Sequence, residues 1–337
     1  MLKPLVSIIS INYNQAQVTC AMLASLRQLT YPNYEVLVID NASPTEDPAS
    51  IEQLFPEVQL IRSKKNLGFA GGNNLAIREA KGKYCLFLNN DTEVVPHLLE
   101  PLVDVLERDP SIGIVSPKII FYGTDELIQY AGCDEGISPW TGRSYVTGHL
   151  EPDAGQHDVS HPTALIHGAA MMVPTKVIRQ AGLMPELYFL YYEELDWCEM
   201  IKRQGYQNYY EAGAKIYHKE SVSVGQGSVL RTYYMNRNRL LFIRRNSRSW
   251  QLWSGCLFFL LVAVPKNTLS YAFKRQWPHL RALWRGLGWH LEGHDIHQNQ
   301  YLTSTLTGPE AELMPDITTN AELRQDLTAA QTLRSIK

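Results

Sequence analysis

Four short stretches of this 337-residue chain carry residue types suited to chemistry. One is Tyr84-Cys85-Leu86-Phe87-Leu88-Asn89-Asn90-Asp91, an apolar run that suits a buried strand and then stops at oxygen-bearing side chains. In an extended segment Asn89 and Asp91 point to the same side. A hard divalent cation that also carries a diphosphate needs only one or two protein oxygens, since phosphates and water fill the rest of its shell. Taken alone, the same residues read first as a polar turn leading into a helix opened by Pro96. A second stretch, Tyr192-Glu193-Glu194-Leu195-Asp196-Trp197-Cys198, places three carboxylates within four positions. In a helix starting at Glu193, Glu193 and Asp196 share a face and Glu194 points elsewhere. Such acids serve either as partners of the helix dipole or as a general base in a pocket.

The other two stretches are glycine-bearing. Asn66-Leu67-Gly68-Phe69-Ala70-Gly71-Gly72-Asn73-Asn74 allows close backbone approach and leads into a helix over 75–80 whose first amides are able to face an anion. It is neither a Walker loop nor a Gly-x-Gly-x-x-Gly fingerprint, and it serves equally as a plain helix entry. His167-Gly168-Ala169-Ala170-Met171-Met172-Val173 suits a strand or tight turn beside a ligand, with Gly168 permitting close approach. A lone His218 ends a strand predicted over 215–219, where a structural role is the ordinary reading.

These stretches must be positioned by elements the pattern also predicts. Residues 5–11, 35–40 and 58–61 read as strands, with helices after the first two. That alternation predicts a parallel sheet with right-handed crossovers. Each early strand ends in polar residues, at the carboxyl edge where open α/β sheets bind ligands. Residues 96–106 predict a helix and 112–116 a strand. The segment 117–162, rich in Gly, Tyr and Pro, predicts irregular structure or short hairpins covering the substrate.

Composition limits the function. With 45% hydrophobic and 19% charged residues, the chain is globular with a sizeable core. A net charge of −3 argues against nucleic acid as a partner. Five scattered cysteines without CxxC spacing predict neither a disulfide framework nor a zinc site. No signal-peptide pattern opens the chain, which predicts a cytoplasmic protein. Residues 231–285 hold eleven Lys and Arg and no acid, interleaved with aromatic and aliphatic residues. Residues 249–265 are uncharged but short for a span, so they predict a buried or interfacial helix and peripheral contact with an anionic membrane. Three regions are expected: a catalytic domain over 1–230, a basic and apolar helical region over 231–295, and a polar, partly disordered tail over 296–337 with a short helix near 321–333.

Taken in order, these stretches resemble the inverting nucleotide-sugar glycosyltransferases of family 2, with the GT-A fold, and within them the rhamnosyltransferase-like branch. The resemblance rests on residues 6–14, 38–43, 66–74, 88–91, 168–171 and 192–198 and on His218, and covers about residues 5–245. It implies an α/β fold, Rossmann-like with a mostly parallel central sheet, plus a helical, partly amphipathic C-terminal extension. It implies that Asp40 binds the pyrimidine base, that Asn12 and Asn14 line the same pocket, and that Asn66, Gly68, Gly71, Asn73, Asn89 and Gly168 flank the nucleotide-sugar. Asn89 and Asp91 stand where the family has its Asp-x-Asp motif, and His218 matches a third metal position, implying Mg2+ or Mn2+ held chiefly by Asp91. Glu194, with Glu193 and Asp196 beside it, stands at the catalytic base. This sequence departs from the family by Asn at 89, by Glu rather than Asp at 194, and by Met200 where Arg is usual. The implied reaction moves a sugar, rhamnose among the candidates, from a dTDP- or UDP-sugar to a glycan or lipid-linked acceptor. The rivals are a nucleotide-sugar or glycan binder with a degenerate site, and a nucleotidyltransferase, which would want a basic Gly-rich loop where Asn12-Tyr13-Asn14-Gln15 stands.

Overall fold

The computed structural model describes residues 3–138, 140–219, 227–247 and 249–302. The helix expected near 321–333 lies outside the described residues. Strand β1 (Val6–Asn12), helix α1 (Ala16–Leu26), β2 (Tyr34–Asp40), α2 (Ala49–Leu54) and β3 (Gln59–Arg62) come first. Then follow α3 (Gly68–Glu79), β4 (Tyr84–Leu88), β5 (Thr92–Val94), α4 (Leu99–Arg108) and β6 (Ile112–Phe121). The next elements are β7 (Ile128–Tyr130), β8 (His161–Thr163), β9 (Ala170–Pro174), α5 (Thr175–Ala181), α6 (Glu193–Arg203) and β10 (Gln207–His218). Helices α7 (Val229–Asn246), α8 (Ser249–Phe258), α9 (Val264–Phe273) and α10 (Trp277–Gly288) complete the described chain.

The strands form one sheet in the order β3-β2-β1-β4-β9-β6-β10-β5, with β7 beside β6 and β8 beside β10. From β3 to β4 every pairing is parallel, and β6 with β10 is parallel again. This is the expected α/β fold, with a mostly parallel centre and a helical C-terminal region. Central strands β1 and β4 are almost wholly buried, because both faces are covered by helices. Parallel register sets Asn12 directly beside Asp40, so the polar ends of β1 and β2 open at one edge. The strand β4 stops at Leu88, and Thr92 N–H donates to Asn89 O at 3.3 Å, so Asn89-Asn90-Asp91 is a turn joining β4 to β5. The extended geometry assumed for Asn89 and Asp91 therefore gives way to a turn.

Two expectations change. The glycine-bearing segment is not a loop before a helix at 75–80. Helix α3 begins at Gly68, and Gly71, Gly72, Asn73 and Asn74 are buried within it. The glycines permit close packing instead. Gly68 has φ +70°, and a methyl group added there would lie 2.2 Å from Phe189 O; one added to Gly72 would lie 2.8 Å from Ile11 Cδ1. Asn73 donates to Phe69 O within the helix, and Asn74 both donates to Met184 O and accepts from Met184 N–H. The segment 117–162 holds short strands, as expected, and is pinned to the sheet by Lys118, 1% exposed, whose ammonium meets Asp153 at 2.9 Å and Asp158 at 2.5 Å.

At Gly68 the left-handed backbone and the adjacent Phe189 carbonyl leave no room for a side chain. Gly68→Ala is expected to destabilise the protein by at least about 2 kcal/mol, read as a lowered midpoint in urea unfolding with unchanged slope.

Candidate active site

The site is built at the carboxyl edge of the sheet. Asn12 Nδ2 donates to Asp40 Oδ1 at 2.9 Å, and Asn12 Oδ1 accepts from Thr19 Oγ1 at 2.9 Å. Thr19 in turn accepts from Asn90 Nδ2 at 3.1 Å, which ties the end of β1 to the turn after β4. Asp40 also accepts from Ser43 Oγ at 2.6 Å and Ser43 N–H at 3.2 Å. Asn14 has φ +53°, its Oδ1 accepts from the amides of Thr45 and Glu46, and its buried Nδ2 has no partner. An unpaired buried donor is available to a ligand. Next to it Asn41 Nδ2 donates to Asn66 Oδ1 and Gly68 O, while Asn41 Oδ1 accepts from Leu67 N–H. Asn12, Asn14, Asp40, Asn66 and Gly68 are thus brought into one connected network. Gly71 and Asn73 are not: they lie inside α3, where a methyl group on Gly71 would meet Leu67 Cβ at 2.8 Å and Asn73 is 2% exposed.

Across the turn, His218 Nε2 lies 3.1 Å from Asp91 Oδ1, both side chains being buried. The contact lacks hydrogen-bond geometry, and Nε2 has no partner. The other ring nitrogen, Nδ1, is 2.7 Å from Gln129 Oε1. The antiparallel pairing of β10 with β5 puts His218 opposite Thr92 and fixes this geometry, and Lys219 N–H donates to Asp91 O. A carboxylate oxygen and an imidazole nitrogen side by side with no hydrogen bond between them are donor types that suit a divalent cation. Among the described residues no group of three or more His, Cys, Asp and Glu could hold a metal alone. Asp91 and His218 are a pair of candidate donors. Asn89 is half-buried, and its amide is bonded to Ala169 O at 2.9 Å.

The three acids of α6 have different surroundings. Helix α6 starts at Glu193, as the spacing predicts, after Phe189, Tyr191 and Tyr192, all with positive φ. Asp196 is fully buried, with Oδ2 accepting from Arg245 Nε at 2.5 Å and Oδ1 from Asn246 Nδ2 at 2.9 Å. Both oxygens are occupied, so the expected catalytic Asp196 is instead an internal counter-ion that fastens α7 to α6. Glu193 is 3% exposed and its Oε2 has no partner. Burial, reinforced by the neighbouring Glu194 charge, holds Glu193 well above the usual carboxyl range. Glu194 is half-buried over Gly168, where an added methyl group would lie 3.4 Å from Glu194 Cγ. Burial pushes Glu194 up to about 7, against the opposing effect of the backbone amides at the helix start.

One segment joins these parts. Ala169 O binds the Asn89 amide, Gly168 underlies Glu194, and the His167 ring stands 5.9 Å from the His218 ring, edge to face. His167 is driven down to about 3, first by burial and then by His218 and His149, so it is neutral. Residues Arg237 and Asn238 of α7 complete the site from behind. Arg237 donates to Leu187 O and Tyr188 O, and Asn238 Nδ2 to Tyr188 O, Leu190 O and Tyr191 O. Thr19, Asn41, Gln129, Arg237 and Asn238 were not singled out by the sequence. Apart from the bond of Thr19 to Asn12 and that of Arg237 Nε to the neighbouring Asn238 Oδ1, their cited partners are distant in the chain, and no local pattern marks them.

Residues 7–169 match the family described as Glycosyl transferase family 2. The N-acetylglucosaminyl-diphospho-decaprenol L-rhamnosyltransferase of Mycobacterium tuberculosis is 22% identical over 268 residues, 72% of this chain and 85% of that protein. Uncharacterized protein y4gI of Sinorhizobium fredii is 28% identical over 236 residues, 66% of this chain but 25% of that protein, so the match spans about a quarter of that relative. Among solved structures, mannosyltransferase PcManGT from Pyrobaculum calidifontis, in complex with GDP-Man and Mn2+, superposes with a TM-score of 0.53. That likeness covers 87% of this chain and 88% of the other at 16% identity, and it is a likeness of fold.

Removing one partner of a buried ion pair strands the other. Asp196→Ala is expected to cost about 3–5 kcal/mol in unfolding free energy. Calorimetry of this variant beside Glu194→Gln separates the two acids: the former should melt well below the wild type, the latter close to it.

Proposed function

Residues 7–169 make this chain a family 2 glycosyltransferase, and from that premise we propose that it transfers a sugar, with rhamnose among the candidates, from a dTDP- or UDP-sugar to a hydroxyl of a glycan or lipid-linked acceptor. The observation that carries the mechanism is Glu194, a half-buried carboxyl near 7, seated on the segment that also reaches Asn89 and His218. A base with that affinity accepts a proton readily at neutral pH. Glu194 takes the proton of the acceptor hydroxyl, whose oxygen attacks the anomeric carbon opposite the departing diphosphate. Direct displacement inverts the anomeric configuration and needs no enzyme nucleophile. Asp40 and Asn12 hold the pyrimidine, Asn14 Nδ2 offers its free donor, and Asn66, Gly68, Asn89 and Gly168 border the donor. Mg2+ or Mn2+, held by Asp91 and His218 with Asn89 as a weaker partner, would supply positive charge to the leaving diphosphate. The Mn2+ of the mannosyltransferase with this fold supports a divalent cation here. The name of the mycobacterial relative supports rhamnose and a lipid-linked acceptor.

A lipid-linked acceptor implies contact with a membrane. The helical stretch Trp250–Phe273, 24 residues, is long and apolar enough to cross one, and little of it is buried. Trp253, Leu257, Leu261, Leu269 and Phe273 are all exposed. Its opposite stripe, Phe259 and Val264, packs on Leu240 of α7. The contact with α7 holds one side of the stretch to the protein, which supports a peripheral reading over a span. Residues 231–285 hold eleven basic residues and no acid; Arg237, Arg239 and the Arg245 side chain are buried, and the positive charge that remains favours an anionic surface. We place the enzyme in the cytoplasm, peripheral at the inner face of the cell membrane.

Glu194→Gln is expected to lower transfer about 10²- to 10⁴-fold while donor binding is kept. In the wild type kcat/KM should rise with pH through about 7 as Glu194 loses its proton, and Glu194→Gln should flatten that limb. Nucleoside diphosphate release, with Mn2+ and with EDTA, measures both, and near-normal turnover of the variant would remove Glu194 from the role. For the membrane, co-sedimentation is expected with phosphatidylglycerol vesicles and not with phosphatidylcholine. Replacing Leu257, Leu261 and Phe273 together by Ser should leave the protein in the supernatant with donor hydrolysis intact.

A further inference from the structure

Gln129 sits in β7 at an irregularity of the ladder. Ile119 pairs with Tyr130 and the next residue, Ile120, with Ile128, so Gln129 is the extra residue of a β-bulge. Bulges re-aim a side chain relative to its strand. Here the side chain is buried, 4% exposed, and its Oε1 meets His218 Nδ1 at 2.7 Å across 89 residues of sequence. The Gln129 carbonyl is itself met by His149 Nδ1 at 3.2 Å, which holds the bulge from its other side. The His167 ring closes on His218 from the side at 5.9 Å.

An amide oxygen only accepts, so the nitrogen it meets must carry the proton. With Nδ1 protonated, neutral His218 presents a lone pair at Nε2. That atom is the one left without a hydrogen-bond partner, 3.1 Å from Asp91 Oδ1. Two electron-rich atoms facing each other are unfavourable alone and favourable around a cation. We propose that Gln129 is a positioning residue that holds His218 in the Nδ1–H tautomer, so that Nε2 and Asp91 Oδ1 face a shared cation position. An outer partner on the second ring nitrogen fixes a metal-binding histidine in this way, and its loss weakens metal affinity about 10- to 100-fold.

The test compares wild type, Gln129→Met and Gln129→Glu. Met keeps the volume without an acceptor, and Glu keeps an acceptor facing Nδ1. In the metal-free proteins, nitrogen-15 NMR of the histidine rings reads the His218 tautomer, assigned with His218→Ala. Wild type and Gln129→Glu should show Nδ1–H, and Gln129→Met should lose that preference. In a second arm, Mn2+ is titrated in the presence of UDP and free Mn2+ is followed by electron paramagnetic resonance. Gln129→Met should bind about 10- to 100-fold more weakly, and Gln129→Glu within a few-fold of wild type. This arm rests on the cation reading given under Proposed function; the tautomer arm does not. A wild type that binds no Mn2+ would end the cation reading, and with it the shared cation position. An unchanged His218 tautomer in Gln129→Met, or unchanged Mn2+ affinity beside a wild type that binds, would overturn the role of Gln129. Recovery in Gln129→Glu separates positioning from a general loss of structure.

Discussion

The site depends on two adjacent side chains of α7, Arg237 and Asn238, and on the carbonyls they collect. Between Leu187 and Tyr192 the backbone takes three left-handed turns without glycine, at Phe189, Tyr191 and Tyr192. Each costs about 1–2 kcal/mol for an L-residue. Such a segment persists only when its surroundings dictate it. Here the carbonyls of Leu187, Tyr188, Leu190 and Tyr191 all accept from Arg237 or Asn238. The remaining one, Phe189 O, accepts from Phe69 N–H at the start of α3, beside the glycine that makes room for it. Arg237 is 2% exposed and has the rings of Tyr234 and Trp289 within 5 Å, at 4.8 and 4.7 Å. Carbonyls and aromatic faces thus surround a buried cation that hydrogen-bonds to no carboxylate among the described residues. What emerges from the held segment is the first turn of α6.

That first turn shows how environment outweighs local sequence. A helix N-terminus favours anions by about 0.3–1 kcal/mol, and on that ground all three acids should be ordinary carboxylates. Burial acts in the opposite sense and is able to shift a carboxyl by several pKa units. Glu193, sealed and with no hydrogen-bond partner on Oε2, is held well above the usual range although the Arg237 charge opposes the shift; Glu194, half-buried, rises to about 7; Asp196 is met by Arg245 and Asn246. Three acids in four positions therefore have three fates, and that of Asp196 is set by residues of α7 about 50 positions away.

The same contrast marks what the sequence made legible. Strands β1, β2 and β4, their polar ends and the start of α6 follow from runs of apolar residues and breaks within them, which are local signals. The pairing of Asp91 with His218 came from the resemblance, and the sheet register delivers it. The glycine-bearing segment misled, because Gly and Asn disfavour helices locally while close packing on Phe189 and Ile11 rewards them here. Asp196 misled because its counter-ion is remote. Gln129 and Arg237 left no trace at all. One owes its position to a bulge in a segment without periodicity, and the other reads as one more basic residue in a basic helix.

The remote contacts also explain why the C-terminal helices matter to the chemistry. Helix α7 touches the site through Arg237 and Asn238, touches α6 through Arg245, and carries Leu240 against Phe259 and Val264 of the apolar stretch. Helix α10 packs against α7 closely enough that a methyl group on Gly286 would lie 3.1 Å from Tyr233 O. One helix thus has the segment before Glu194 on one side and the exposed apolar surface on the other. Interiors packed at this density transmit displacement and do not absorb it. Helix α7 therefore ties the exposed apolar surface that begins beside Phe259 and Val264 to the segment that precedes Glu194.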